Sequence, residues 1–141
     1  MDNPSFNKLK NLLLNRVSET LCVDKEKIQG SCSEPRVVWA RWIVWYILKS
    51  YFHLSYAEVA KLIGDASRHS SLYGLKRLPY MLHKEQWVNG AFIDILQFVD
   101  DNGFTGIPVV TPKEEDSLSE DAVKRKVKRI TKSKLISKQL T

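Results

Sequence analysis

Two short runs of helical periodicity, separated by Gly64 and Asp65, constrain the fold of this chain more than any other feature. Residues 55–78 have the sequence SYAEVAKLIGDASRHSSLYGLKRL. The first run opens on a capping box that begins at Ser55, and its apolar residues recur at helical spacing. The second run opens on four polar residues, and Pro79 is expected to end or kink it. The stretch therefore predicts two crossing helices joined by a turn, the core of a helix-turn-helix.

The rest of the chain carries the same helical signal. Apolar residues at intervals of three and four predict an amphipathic helix over 6–21, a central and mostly apolar helix over 35–52, and a last helix over 85–103. Strand signals are nearly absent outside 104–111. We therefore predict an all-α helical bundle that contains a helix-turn-helix and an extra C-terminal helix.

Charge is distributed unevenly over the 141 residues, whose net charge is +6. Residues 33–84 hold eight Lys and Arg against three Asp and Glu, residues 85–121 hold one against nine, and residues 122–141 hold eight and no acidic residue. We expect residues 1–103 to form one helical domain and residues 104–141 to be an extended linker and a mobile, charged tail. The basic segments favour nucleic acid as a partner.

The basic run in the tail has three interpretations that remain open: an arm that contacts phosphates, a helix that binds a protein partner, or a solvated end. The tail residues that would contact phosphates are Lys124, Arg125, Lys126, Lys128 and Arg129.

The second helix of the turn unit has an outward stripe suited to DNA. A helical wheel that directs Leu72 and Leu75 to the core places hydroxyl, phenol and guanidinium groups on the opposite side, with Gly74 among them to allow a close approach. Residues in the first turn can project beyond the helix end, as in helices that contact bases in the major groove. Arg can donate to guanine O6 and N7 as a fork, and Ser can bond to several bases. The predicted major-groove residues are Arg68, His69, Ser70, Ser71 and Tyr73.

The order of these elements resembles the C-terminal DNA-binding domain of the bacterial replication initiator DnaA. The segment SYAEVAKLIG is similar to the Ser-Leu-Pro-Glu-Ile-Gly-like helix of that family. RHSSL (68–72) is similar to its Asp-His-Thr-Thr-Val signature, with Arg68 in place of the Asp and Ser in place of both Thr. VDKEKI resembles the family's short acidic helix. The resemblance covers roughly residues 8–80. It implies a bundle around a helix-turn-helix, related to the Trp-repressor arrangement, that binds double-stranded DNA.

The resemblance also implies roles for single residues. Residues 69–71 correspond to base-contacting positions of the family, and Arg77 corresponds to a basic position farther along the same helix. Arg36 and Arg41 lie where the family contacts the minor groove and the backbone. The predicted phosphate or minor-groove contacts are Arg36, Arg41, Lys76 and Arg77.

Three tryptophans of the central helix, Trp39, Trp42 and Trp45, allow two interpretations. They could stack on the bases of a nucleic acid. Their helical period and their Ile and Val neighbours favour packing in the core.

Catalytic and cofactor motifs are missing from the sequence. It contains no G-x-x-x-x-G-K-[ST] phosphate loop, no nucleophile–base pair and no His, Cys or carboxylate cluster at metal spacing. We therefore expect no enzyme activity, no cofactor, no metal and no small-molecule substrate, and we expect Cys22 and Cys32 to be reduced. The N-terminus lacks the order of a signal peptide and no apolar run reaches membrane-spanning length, which favours a cytoplasmic protein without membrane contact.

The sequence therefore favours binding of double-stranded DNA with some sequence preference, in a replication or transcription accessory factor of the kind that a phage or mobile element encodes. The alternative is an adaptor that keeps the DnaA-like bundle without DNA binding. Such an adaptor would dock a replication or transcription protein through its last helix and basic tail.

Overall fold

The computed structural model describes residues 3–114 and confirms the predicted all-α class, because this part of the chain contains six helices and no strand. The helices are α1 (Pro4–Leu21), α2 (Lys25–Gln29), α3 (Pro35–Phe52), α4 (Tyr56–Leu62), α5 (Arg68–Lys84) and α6 (Gln86–Asp101). None of the helices in residues 3–114 is long and apolar enough to cross a membrane.

Helix α3 is the centre of the bundle, as its apolar composition predicts. It packs against α1, α2, α4 and α5, and the fully buried side chains of Ile43, Val44, Ile47 and Leu48 surround its axis. A helix that is apolar on most sides is stable only when neighbours cover those sides. The amphipathic helix α1 supplies part of that cover, and α6 packs on α1 and α5. Helix α6 also meets α3 through an edge-on pair of rings, Tyr46 and Phe92.

Side-chain caps fix where three of the helices begin. Asn3 accepts a hydrogen bond from the backbone N–H of Ser5 at the start of α1. Ser55 and Glu58 form the predicted capping box of α4. Ser67 accepts from the backbone N–H of Ser70, which places the start of α5 at Arg68. Each cap satisfies a backbone donor that has no partner within its helix.

Pro79 does not end α5, which continues to Lys84. A proline inside a helix removes one backbone hydrogen bond and crowds the preceding turn, which costs about 3 kcal/mol. Leu78, Met81 and Leu82 are buried on both sides of this position and hold the two halves of α5 against the bundle. Burial of such side chains contributes about 1.5–3 kcal/mol each, enough to offset the proline.

The extended segment after α6 lies against the bundle. Phe104 is buried and its ring packs edge-on against Tyr51, with 5.2 Å between the ring centroids. The hydroxyl of Tyr46 donates to the carbonyl oxygen of Pro108 at 2.6 Å. The backbone N–H of Lys113 donates to the carbonyl oxygen of Pro79 at 3.0 Å. The chain therefore returns to α5 near the end of the described residues.

The packing of α4 on α5 is tested by enlarging Ala60, which is fully buried in α4. We expect Ala60→Leu to lower the free energy of unfolding by about 1–3 kcal/mol, because added methylenes in a filled core force neighbouring atoms apart. Chemical denaturation measures the change. Ala57→Leu, at an exposed position of the same helix, is the control and should change stability by no more than about 0.5 kcal/mol. Equal effects of both substitutions would contradict the packing.

Candidate nucleic-acid interface

The turn between α4 and α5 is held by backbone and side-chain hydrogen bonds from three directions. The indole Nε1–H of Trp45 in α3 donates to the carbonyl oxygen of Ile63 at 2.8 Å. The N–H of Gly64 donates to the carbonyl oxygen of Gln29 at 3.1 Å, and the N–H of Ala66 donates back to Ala60 at 2.9 Å. Gly64 has a φ of +89°, a conformation that only glycine adopts without strain. The start of α5 is therefore fixed relative to α3.

Arg41 belongs to this support and does not reach the surface, which corrects its prediction as a minor-groove or phosphate contact. Its side chain is only 7% exposed. The Nε atom donates to the carbonyl oxygen of Ile28 at 2.9 Å, and a terminal nitrogen donates to that of Lys27 at 2.8 Å. These carbonyls lie near the C-terminus of α2, where a cation is favoured. Burial lowers the pKa of the guanidinium from its ordinary value, but arginine retains its proton in proteins.

Ser71 is also used inside the protein, which corrects its prediction as a base contact. Its side chain is fully buried. The hydroxyl lies 2.7 Å from the carbonyl oxygen of Tyr56, at the start of α4, and 3.1 Å from that of Arg68. A hydroxyl has one proton to donate, so the Tyr56 and Arg68 carbonyls share it. The bond to Tyr56 connects the two helices of the turn unit.

Gly74 faces α3, not the solvent as the helical wheel predicted. A Cβ atom built on Gly74 would collide with the indole nitrogen of Trp42. The buried side of α5 is formed by Ser71, Gly74, Leu78, Met81 and Leu82. At about 100° per residue, this side is rotated by about a quarter turn from the predicted one. Hydropathy alone assigned Leu72 and Leu75 to the core, whereas both are only partly buried.

Five other predicted residues of α5 are accessible. Arg68, His69, Ser70 and Lys76 are exposed, and Tyr73 is 55% exposed. The hydroxyl of Ser70 lies 3.1 Å from that of the capping Ser67. Because the cap holds this turn in place, the first turn of α5 presents cationic, imidazole and hydroxyl groups together at one end of the helix.

An aromatic cleft of about 410 Å³ separates α3 from the start of α5. His69, Ser70 and Tyr73 form one wall, and Trp42 lies on the α3 side. The guanidinium of Arg77 lies 5.6 Å from the ring centroid of Tyr73, within the range of a cation–π interaction. This contact places Arg77 beside Tyr73, and the Arg77 side chain is partly buried.

The three tryptophans of α3 differ in their surroundings. Trp45 is buried and hydrogen-bonded to the turn, as the core interpretation predicts. Trp39 and Trp42 are partly buried and pack against the core. Trp87 of α6 is 48% exposed and packs edge-on against Trp39, with 6.5 Å between the ring centroids.

Arg36 lies in a different place from the predicted residues of α5. Its guanidinium is 5.6 Å from the ring centroid of Trp87, and both line a second cleft of about 550 Å³. That cleft contains none of the residues of α5. Arg36 is exposed and remains a predicted phosphate contact. The predicted tail residues Lys124, Arg125, Lys126, Lys128 and Arg129 lie outside the described residues.

No group of three or more His, Cys, Asp and Glu side chains in residues 3–114 is placed to hold a metal ion. The free thiols of Cys22 and Cys32 are exposed and partly buried, respectively.

A substitution at Arg41 distinguishes a buried support from a DNA contact. We expect Arg41→Met to lower the free energy of unfolding by about 3 kcal/mol, because it removes two hydrogen bonds from a charged donor and leaves two carbonyl oxygens without these donors. Thermal and chemical denaturation measure the loss. The control is Arg36→Met at an exposed site, where we expect a change within about 0.5 kcal/mol. An unchanged stability of the Arg41 variant would contradict the buried support.

Comparison with known proteins gives a distant similarity to DnaA. The chain is 24% identical over 98 residues to the chromosomal replication initiator protein DnaA of Borrelia duttonii, covering 70% of this chain and 19% of that protein. It is 22% identical over 98 residues to the DnaA of Borreliella burgdorferi, with the same coverage. The chain thus spans about a fifth of the length of these relatives, in their C-terminal region. No family model and no solved structure matches. The similarity supports a DnaA-like domain.

Proposed function

We propose that this chain binds double-stranded DNA with a sequence preference through the helix-turn-helix formed by α4 and α5. The observation that carries the proposal is the exposed first turn of α5. It contains Arg68, His69 and Ser70 and follows a loop that hydrogen bonds hold in place. In helix-turn-helix proteins the N-terminal residues of the second helix contact base edges in the major groove. Residues 1–103 would form the DNA-binding domain and residues 104–141 the linker and tail, and the first part of this linker, 104–113, packs against the domain.

The charge of α5 supports an anionic partner. The helix contains Arg68, Lys76, Arg77 and Lys84 and no acidic residue. The ion pairs within residues 3–114 join Arg16 to Asp94 and Lys27 to Glu34. None of them involves a Lys or Arg of α5. Cations without carboxylate partners are available to release counterions from DNA phosphates.

Two kinds of contact follow from the positions along α5. Arg68, His69, Ser70 and Tyr73 are the proposed base contacts, because they lie in or near the exposed first turns. Lys76 and Arg77, which are cations farther along α5, and the exposed Arg36 of α3 are the proposed phosphate contacts. Phosphate contacts fix the position of a protein on the duplex without selecting a sequence.

The relatives support a setting in replication. They are named chromosomal replication initiator proteins, and the matched region is their C-terminal part. The chain lacks the phosphate-loop motif G-x-x-x-x-G-K-[ST], so the proposal concerns DNA binding alone. An accessory factor in replication or transcription, encoded by a phage or another mobile element, fits such a module.

A protein-binding adaptor is the second candidate function. Helix α6 exposes two large apolar side chains, Trp87 at 48% and Ile93 at 50%. Large apolar groups at a surface occur in protein interfaces. In this case the α6 surface and the tail would hold a partner, and α5 would not select a DNA sequence.

Titration of variants against duplexes tests the DNA-binding proposal. The best duplex is first selected from a random pool, and a scrambled duplex of the same composition is the reference. We expect Arg68→Ala or Ser70→Ala to reduce the preference for the selected duplex by about 1–3 kcal/mol, the usual value of a good hydrogen-bonded pair with a base edge. We expect Arg77→Ala to weaken both duplexes alike and to lower the salt slope by about one charge.

The control variant changes a residue that is buried and so lies away from the proposed interface. Ser71→Ala should lower stability without selectively reducing the preference, because the Ser71 hydroxyl bonds to α4. Circular dichroism should show that the Arg68 and Ser70 variants keep the fold. If the unchanged protein does not distinguish the duplexes and removal of Arg68 and Arg77 together has no effect, the adaptor function replaces this proposal.

Deletion of residues 122–141 tests the role of the tail. If the tail supplies only attraction to phosphates, the deletion should weaken binding to all duplexes about equally and flatten the dependence of affinity on salt. Titrations at two salt concentrations measure both quantities. Loss of the preference for the selected duplex would show instead that the tail contributes to sequence selection.

A further inference from the structure

An acidic segment begins where the described chain meets α5. Residues 114–121 have the sequence EEDSLSED, with five carboxylates and no basic residue. The residue before them, Lys113, donates its backbone N–H to the carbonyl oxygen of Pro79 at 3.0 Å. Pro79 lies within α5, whose side chains include four Lys and Arg and no acidic residue. The fold therefore brings the start of the acidic segment to the basic helix.

The residue spacing in α5 places two cations beside this meeting point. Arg68, Leu72, Lys76 and Pro79 follow one another at intervals of four, four and three residues and so share one side of the helix. Arg68 and Lys76 are exposed. Leu72, between them, is partly buried and has no charge that would repel an acidic segment.

The length of the segment is sufficient to cover this side. Arg68 lies eleven residues before Pro79, a distance of about 16 Å along a helix. Eight extended residues span up to about 26 Å. The carboxylates of residues 114–121 can thus reach Lys76 and Arg68 while Lys113 stays on Pro79.

We propose that the acidic segment 114–121 binds the Arg68–Lys76 side of α5 in the same chain and competes there with DNA. The competition rests on the proposed DNA-binding function, whereas the contact itself does not. Exposed ion pairs are individually weak and are screened by salt. A tethered segment nevertheless has an effective concentration near the millimolar range. Such a segment would oppose weak, unspecific binding and yield to a duplex that makes many phosphate and base contacts.

Cross-linking with a water-soluble carbodiimide tests the contact without DNA. The reagent joins a carboxylate to a lysine amine as an amide, takes up the water that this releases and leaves as a urea. Because no atom of the reagent remains in the link, only groups in direct contact are joined. Mass spectrometry of the digested full-length protein should find Lys76 linked to Glu115, Asp116, Glu120 or Asp121, and less so at high salt. Lys25, exposed on α2, is the internal control and should not be linked to this segment.

Duplex titration with charge-matched variants tests the competition. The first variant combines four substitutions in the acidic segment, which are Glu115→Gln, Asp116→Asn, Glu120→Gln and Asp121→Asn. The second changes four exposed carboxylates elsewhere and is Glu19→Gln, Glu26→Gln, Asp100→Asn and Asp101→Asn. Both raise the net charge equally. We expect the first to increase the affinity for scrambled duplex about three- to tenfold more than the second, with the difference vanishing at high salt.

The outcomes separate this proposal from the proposed function. Links between Lys76 and the segment in a protein that binds no duplex would support the contact and overturn DNA binding. Duplex binding with no such link, or with equal effects of the two variants, would overturn the competing segment and leave DNA binding intact. Links found only between two chains would overturn the intramolecular contact in favour of a second copy.

Discussion

Two side chains of the central helix, Arg41 and Trp45, hold the turn from which α5 starts. Arg41 donates to carbonyls of α2, and Trp45 donates to Ile63 at the end of α4. A Cβ on Gly64 would approach the Arg41 side chain to 2.9 Å, so the turn and the guanidinium fit closely. Two of these three bonds are buried, and together they join three helices. The direction of α5 relative to the bundle depends on them, and so does the surface that α5 exposes.

The helices could be predicted from the sequence because their signals are local. Apolar spacing and the caps Ser55 and Ser67 depend only on neighbouring residues. The rotation of α5 could not be predicted in the same way. It is set by Gly74, which leaves room for the indole of Trp42, and by Ser71, whose hydroxyl has partners on both helices. A small or polar residue counts as exposed in a hydropathy pattern, so a core built from such residues is assigned to the wrong side.

The candidate site was predictable to the extent that it depends on the helix start. A cap at Ser67 places Arg68, His69 and Ser70 in the first turn whatever the rotation of the helix, and these residues are exposed. The sequence wrongly predicts Arg41 and Ser71 as DNA contacts, because the groups that bind them inside the protein are backbone carbonyls. Every residue has a carbonyl, so a sequence does not indicate which of them will accept a bond from a distant arginine or serine.

The five residues RHSSL, which resemble the DnaA signature, therefore meet two different requirements. The hydroxyl of Ser71 serves the fold, since it bonds to the carbonyl oxygen of Tyr56 and so ties α5 to α4. The side chains of Arg68, His69 and Ser70 are exposed and do not join α5 to another helix. The departure from the signature at Arg68, a cation where the family has an acid, falls at one of these exposed positions. It can alter what α5 binds without altering how α5 is held.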